Sequence, residues 1–263
     1  MGFNIQTRVT NPCFQNFALT PLSTPYAPFY AKILDNVFTP TECRSLLALV
    51  SAPASSEASM LPSGWHPAAL STNAPTQTVH TDFRNSDRAL VVDSSTANFI
   101  YARLCPHVPE LYALSPGGRW AIITGRPEKK QGPTWTLAGV NPRLSFLRYG
   151  PGHYFKPHCD GLNEVEGKKS FVTLHIYLND AEGADDNNDV TSEVVPSSNI
   201  PTSPATDDHK VHLDVLPKAG RVLVFQQRML VHSGEPVVSG IKYTIRSDFL
   251  FTEGPAEGAE ALA

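Results

Sequence analysis

Within HYFKPHCDG, residues 153–161, His158 and Asp160 stand two positions apart, and His232 follows much later in LVHSGEP. In extended backbone, residues two apart point to the same side, so the His158 imidazole and the Asp160 carboxylate reach toward one ion while Cys159 points away. With His232 they make two histidines and one carboxylate on one face of an octahedron, which leaves three positions open, as iron(II) oxygenases require. A short HxD motif alone is weak, because histidine pairs also arise by chance. Here each half follows a strand-like run: LSFLRY with a Gly-Pro-Gly turn and Pro157 before His158, and RVLVFQQ before His232. A site shared across a β-sandwich needs that placement. Zinc is the competing ion, since the same three ligands also suit a hydrolase.

A second feature separates the two metals. Ten residues past His232, KYTIRSD puts Lys242, Thr244 and Arg246 on one face of a strand, and Tyr149 ends its own strand nine residues before His158. A cation with hydroxyl donors beside a metal suits the distal carboxylate of a dicarboxylic 2-oxo acid, which a zinc hydrolase does not use. A strand lysine taken alone is ordinarily a solvated one, and only the offset of Lys242 from a candidate ligand argues otherwise. Arg246 shares the facing and is the alternative anchor if the register is misjudged.

These residues need strands to hold them. LSFLRY, SFVTLHIYL, VHLDVL, RVLVFQQ and KYTIRSDFLF are short, β-rich and separated by Gly or Pro, so the chain after Asn141 reads as an antiparallel sandwich or barrel. Along SFVTLHIYL, Thr173, His175 and Tyr177 share one face, and Val172, Leu174, Ile176 and Leu178 take the apolar one. His175 reads more simply as a satisfied core histidine than as a cofactor contact. Residues 1–140 read as an irregular arm followed by helix and loop, with helices at TPTECRSLLALVS, capped by Thr39 or Thr41, and at DSSTANFIYARLC. The stretch 180–214, acidic at both ends and rich in Ser, Pro and Thr, is a surface insertion or a lid, and 253–263 is a loose tail.

The 263 residues suit one elaborated β domain. Twenty-one Lys and Arg against 25 Asp and Glu give a net charge of -4, which provides no field for nucleic acid and suggests a weakly charged or cationic small substrate. Cys13, Cys43, Cys105 and Cys159 form no CxxC pair and no apolar signal follows Met1, so reduced cytosolic thiols are expected. No run is long and apolar enough for a membrane span. The oligomeric state is not legible.

At RYGPGHYFKPHCDG, SFVTLHIYLND, LPKAGRVLVFQ and HSGEPVVSGIKYTIRSDFLF the chain resembles the prolyl 4-hydroxylase-like branch of the iron(II)/2-oxoglutarate-dependent dioxygenases. The likeness covers about 141–252 and extends upstream through RNSDRALVVD and WTLAGVNPRLSFLRY. It implies a mainly β fold with supporting helices around a double-stranded β-helix (jelly-roll) core. It also implies iron(II) held by His158, Asp160 and His232, and 2-oxoglutarate held by Lys242 and Tyr149, with Thr173 and Tyr177 facing it. O2 is the other cosubstrate and ascorbate a candidate accessory reductant. Where the family commonly has a short Gly-Gly-Glu-Thr turn, this chain has the insertion beginning DAEGADDNND, which weakens the case for a peptidyl-proline substrate.

Hydroxylation of a small molecule or amino-acid-like substrate is therefore the leading expectation. Peptidyl-prolyl hydroxylation, desaturation and cyclisation stay open, as do a silent small-acid binding module and a zinc hydrolase. Asp160 stands where a halogenase needs a residue that does not bind the metal, so halogenation is not expected. Arg84, Asn85, Arg88, Asn141, Arg143, Ser145 and Leu147 are candidate pocket-lining residues. For Arg84 and Arg88 the plainer reading is ion pairing that ties the helical layer to the sheet.

Overall fold

The computed structural model describes residues 10–14, 26–50, 64–70, 78–125, 132–181 and 213–254. Most of the acidic insertion, the start of the N-terminal arm, the Ser-rich loop near residue 55 and the last nine residues lie outside these, and so do the expectations attached to them. Cys43, Cys105 and Cys159 are free thiols.

Fourteen strands appear among the described residues, from β1 (Thr10–Phe14), β2 (Ala31–Asp35), β3 (His66–Pro67), β4 (Arg84–Asn85) and β5 (Asp87–Val92) to β6 (Ala113–Leu114) and β7 (Trp135–Val140). The catalytic half follows with β8 (Arg143–Tyr149), β9 (Tyr154–His158), β10 (Glu164–Val165), β11 (Lys168–Tyr177), β12 (Val222–Gln226), β13 (His232–Gly234) and β14 (Lys242–Glu253). The larger sheet runs β1-β2-β12-β11-β14-β8-β5-β3, and a smaller one runs β13-β9-β4. All pairings are antiparallel, and the two layers form the jelly-roll core.

Cross-strand partners share a face, so the pairing sorts the large sheet into two sides. One side carries Phe146, Leu174, Ile176, Val224, Ile245 and Phe249, all essentially inaccessible to water. Helices α1 (Pro40–Ala48) and α2 (Ser94–Leu104) cover it with Cys43, Leu46, Ala97, Ile100 and Leu104. Each large apolar side chain buried there contributes roughly 1.5–3 kcal/mol. Thr39 caps α1 in a reciprocal capping box with Glu42, and Asp93 caps α2. Arg103 of α2 then reaches Glu42 at 2.7 Å, locking the helices together over the sheet.

The opposite side carries Tyr149, Thr173, His175, Tyr177, Lys242, Thr244, Arg246 and Asp248. Lys242 pairs with Tyr149, Tyr177 with Thr244, His175 with Arg246, and Thr173 with Asp248. A polar face on a central sheet is costly to bury unless another layer uses it. The small sheet, which bears the histidines, is that layer.

Two expectations need correction. The first 140 residues are not helix and loop alone: β2, β5 and β7 are integral to the large sheet, pairing with β12, β8 and β14. They are short runs in which charged or small residues interrupt the β-rich ones, Lys32 and Asp35 in β2, Asp87 and Arg88 in β5, Ala138 and Gly139 in β7, which weakens the strand signal. Conversely, the described part of VHLDVL, from Leu213 onward, is not a strand, and Glu253, assigned to the tail, ends β14 instead.

Gly220 fixes the entry into β12. Its φ is +79° and an added Cβ would lie 1.9 Å from the Phe38 carbonyl oxygen. Its amide donates to Tyr177 and its carbonyl accepts from Val37, each at 3.0 Å. Gly220→Ala is expected to destabilise by more than about 2 kcal/mol, because strain at positive φ adds to a backbone clash. Gly152→Ala, at φ +76° with open space around it, should lose only about 1 kcal/mol. Thermal unfolding of the two variants tests this, and equal losses would refute the clash.

Candidate metal centre

The histidines meet because β9 and β13 are neighbours: His158 and His232 are direct cross-strand partners, with ring centroids 4.3 Å apart. Asp160 follows β9 in the turn, and its Oδ1 lies 4.0 Å from His158 Nε2 while its Oδ2 lies 3.8 Å from His232 Nε2. The three ligand atoms all fall within 4.8 Å of one another, close enough to hold one ion. Cys159 is exposed, as the alternation requires.

Hydrogen bonds set the imidazoles. His158 Nδ1 lies 2.8 Å from the Lys156 carbonyl and His232 Nδ1 3.3 Å from that of Leu230. A carbonyl only accepts, so each Nδ1 carries the proton and each Nε2 lone pair is left for a metal. Burial, reinforced by His232, lowers the His158 pKa to about 4, and burial likewise lowers that of His232. Both rings are therefore neutral near pH 7. Burial raises the Asp160 pKa, but Arg246, His232 and the Thr173 hydroxyl outweigh it and hold the group at about 2. The cluster thus presents two neutral nitrogens and one carboxylate, the protonation state that metal binding needs. Phe155 stacks on His158 at 3.6 Å and Phe225 meets His232 edge-on at 4.7 Å, fixing the rings and narrowing access for water.

The anion site lies further along β14. Lys242 Nζ stands 4.4 Å over the Tyr149 ring, with no carboxylate in ion-pair reach among the described residues. Burial lowers its pKa, partly opposed by Glu235. The neighbouring Thr244 hydroxyl is buried without a hydrogen-bond partner among the described residues. A half-buried ammonium next to an orphaned donor fits a ligand carboxylate. Tyr177, also buried, occupies the same face.

Arg246 is placed differently from an anchor beside Lys242: its Nη2 lies 3.3 Å from Asp160 and 3.1 Å from Asp248. His175 is half-buried beside Tyr177, with ring centroids 5.0 Å apart, and burial depresses its pKa to about 3. Arg84 ties no helix to the sheet. It belongs to β4, donates to Ser86, and stacks 4.6 Å over the Phe155 ring, so it sits behind His158. Burial and the charges of Arg84, Arg143 and Arg246 lower the Arg88 pKa to about 10, so several arginines act on one position of an otherwise acidic chain. Asn141 is buried against Asp248, and Arg143 is exposed.

Residues 144–247 match the family model of the 2OG-Fe(II) oxygenase superfamily. This chain carries a 2OG-Fe(II) oxygenase domain. The matched span contains all three metal-ligand candidates, Tyr149, Thr173, Tyr177, Lys242 and Arg246. Among solved structures, the oxygenase is similar to a Pseudomonas putida prolyl-4-hydroxylase at 14% identity, covering 87% of this chain and 96% of that one, with a TM-score of 0.47. It is similar to the viral collagen prolyl hydroxylase of Paramecium bursaria Chlorella virus-1 at 16% identity, with coverages of 85% and 96% and a TM-score of 0.43. A Trichoplax adhaerens prolyl hydroxylase, solved with a hypoxia inducible factor peptide fragment, gives 16% identity, coverages of 83% and 82%, and a TM-score of 0.44. No curated protein matches the sequence. Among the described residues of the oxygenase, no helix is long and apolar enough to cross a membrane.

Two outcomes are expected. His158→Ala, Asp160→Ala and His232→Ala should each lose the rise in melting temperature that manganese(II) gives the wild type, while the metal-free melting temperatures stay close, because the large core does not depend on the ion. Calorimetric titration and thermal melts check this, and undiminished manganese binding in a variant would remove that residue from the ligand set. The second concerns pH. His158 has a folded pKa of about 4 against an ordinary 6.5, so folding favours its neutral form. Its contribution to stability is complete above pH 6.5 and is lost as pH falls toward 4. The metal-free melting temperature should fall through that window, and His158→Gln should flatten the fall. An unchanged slope would contradict the buried neutral assignment.

Proposed function

We propose that this oxygenase hydroxylates an unactivated C–H bond of a small, amino-acid-like molecule, with 2-oxoglutarate and O2 consumed and succinate and CO2 released. The observation that carries this reading is the half-buried Lys242 ammonium and orphaned Thr244 hydroxyl on the face that the histidine-carboxylate cluster overhangs. In such a site iron(II), bound by His158, Asp160 and His232, supplies the redox chemistry that couples O2 to the 2-oxo acid. One oxygen atom goes to the substrate and one to succinate, so the electrons lost by 2-oxoglutarate and by the C–H bond balance the four-electron reduction of O2.

The chain's own groups bind and orient. Lys242 pairs with the C5 carboxylate, and Thr244 and Tyr149 donate hydroxyls to it. Thr173 Oγ1 donates to Asp160 Oδ2 at 2.6 Å and so fixes the carboxylate plane. Phe155 and Phe225 limit water at the histidines, which protects a reactive centre from side reactions. The cationic surroundings of Arg88 favour a substrate that carries a carboxylate, which replaces the weakly charged or cationic substrate suggested by net charge. Assignment to the prolyl 4-hydroxylase-like branch rests on the quoted motifs. A cytosolic setting, with ascorbate returning oxidised iron to iron(II), is part of the same proposal. Screening free amino acids against prolyl peptides for substrate-stimulated succinate release tests the substrate class. Product mass separates gain of one oxygen from loss of two hydrogens, hence hydroxylation from desaturation or cyclisation.

Removing one partner of a desolvated ion pair costs about 2–5 kcal/mol. Lys242→Ala should therefore raise the 2-oxoglutarate requirement by about 30-fold or more, each ~1.4 kcal/mol being tenfold, with metal affinity little changed. Lys242→Arg should keep part of the activity, since the charge stays but the planar head fits less well. Titrating 2-oxoglutarate while following succinate checks both. A Lys242→Ala enzyme with wild-type cosubstrate demand would sink the assignment.

A further inference from the structure

Asp248 lies on β14 two residues past Arg246, just beyond the matched family span, and only 1% of it is exposed. It belongs to no ligand set, yet it gathers an unusual number of donors. Gln227 Nε2 and Asn163 Nδ2 each donate to it at 2.8 Å, Asn141 Nδ2 approaches at 3.5 Å, and Arg246 Nη2 lies at 3.1 Å. Asn163 sits three residues past Asp160, and Gln227 five residues before His232. One buried carboxylate thus ties both ligand-bearing segments to the strand that also carries Lys242. Ser170 reinforces the knot, since its hydroxyl accepts from the Asn163 amide at 2.8 Å and donates to Gln227 Oε1 at 3.0 Å.

The same Arg246 Nη2 that meets Asp248 lies 3.3 Å from Asp160 Oδ2, which also accepts from Thr173. Oδ2 therefore accepts the Thr173 hydrogen bond and lies in ion-pair reach of Arg246, while Oδ1 has no donor among the described residues and faces His158 Nε2 at 4.0 Å. We propose that Arg246 and Asp248 form a positioning pair that occupies Asp160 Oδ2 and presents Oδ1 to the metal. Arg246 is then a determinant of metal affinity and not the alternative anchor for 2-oxoglutarate. Packing alone would be served as well or better by an apolar pair, because burying ionised groups is expensive. A guanidinium instead gives a directional hold on a carboxylate, and Asp248 fixes the guanidinium in turn.

This inference rests on the metal reading of His158, Asp160 and His232, and the test separates the two. In the full chain, manganese(II) affinity, metal-free melting temperature and the KM for 2-oxoglutarate would be measured for wild type, Arg246→Met, Arg246→Lys, Asp248→Asn and Lys242→Ala. Arg246→Met should weaken manganese binding by about 10–100-fold, the usual effect of losing an outer-shell partner, with the KM for 2-oxoglutarate little changed. Arg246→Lys should recover part of the affinity, and Asp248→Asn should shift it in the same direction as Arg246→Met but less. If Arg246→Met does not fold, Arg246→Lys carries the test, since it keeps the charge and loses the fork. A folded Arg246 variant with wild-type manganese affinity overturns the proposal, as does a raised KM for 2-oxoglutarate at unchanged metal affinity. Failure of the wild type to bind manganese, with Lys242→Ala behaving as wild type, would instead remove the metal reading and this proposal with it.

Discussion

A carboxylate buried among two histidines is stable as an anion only if cations and donors replace the water it loses. Asp160 meets that condition on one oxygen, through the Thr173 hydroxyl and the Arg246 guanidinium. Much of the surrounding architecture follows. Arg246, itself half-buried, is balanced in turn by Asp248. Asp248 then needs donors of its own, and it finds them on three separate segments, at Asn141, Asn163 and Gln227. The polar interior of the sheet is thus a chain of compensations that begins at one ligand.

That chain is affordable because the other face of the same sheet is predominantly apolar. Phe146, Leu174, Ile176, Ile245 and Phe249 pack under α1 and α2, and this layer supplies the stability that the polar side does not. The strict period of a strand lets one residue serve the core and the next serve the site. On β14, Ile245 and Phe249 face the helices while Lys242, Thr244, Arg246 and Asp248 face the cleft. A rigid apolar layer behind a site also keeps ligand geometry within narrow bounds, which redox chemistry at a metal demands.

The cleft is electrostatically unlike the rest of the molecule. The chain is acidic overall, yet the charges of Arg84, Arg143 and Arg246 all bear on Arg88, and Lys242 lies on the same strand face as Arg246. Net charge governs solubility and long-range steering, whereas a low-dielectric cleft responds to its nearest groups. For that reason the local cations, and not the total, bear on what the site accepts.

The sequence by itself picked out the three residues that the fold gathers into a candidate metal cluster, the lysine and tyrosine that meet across β8 and β14, both helices with their caps, and the strands whose alternation is plain. These are legible because each depends on spacing along one segment: two residues for HxD, and a capping residue before a helical run at Thr39 and Asp93. It did not reveal β2, β5 or β7, where charged or small residues interrupt the β-rich run, nor the loss of strand structure at Leu213. It grouped Arg246 with Lys242 by facing, although the two side chains serve different partners. Asp248, Asn163 and Gln227 went unread, because each acts through a residue distant in the chain. Only the tertiary structure decided those roles: a buried polar side chain takes its function from whichever strand the topology lays against it, and that neighbour is not written nearby in the sequence.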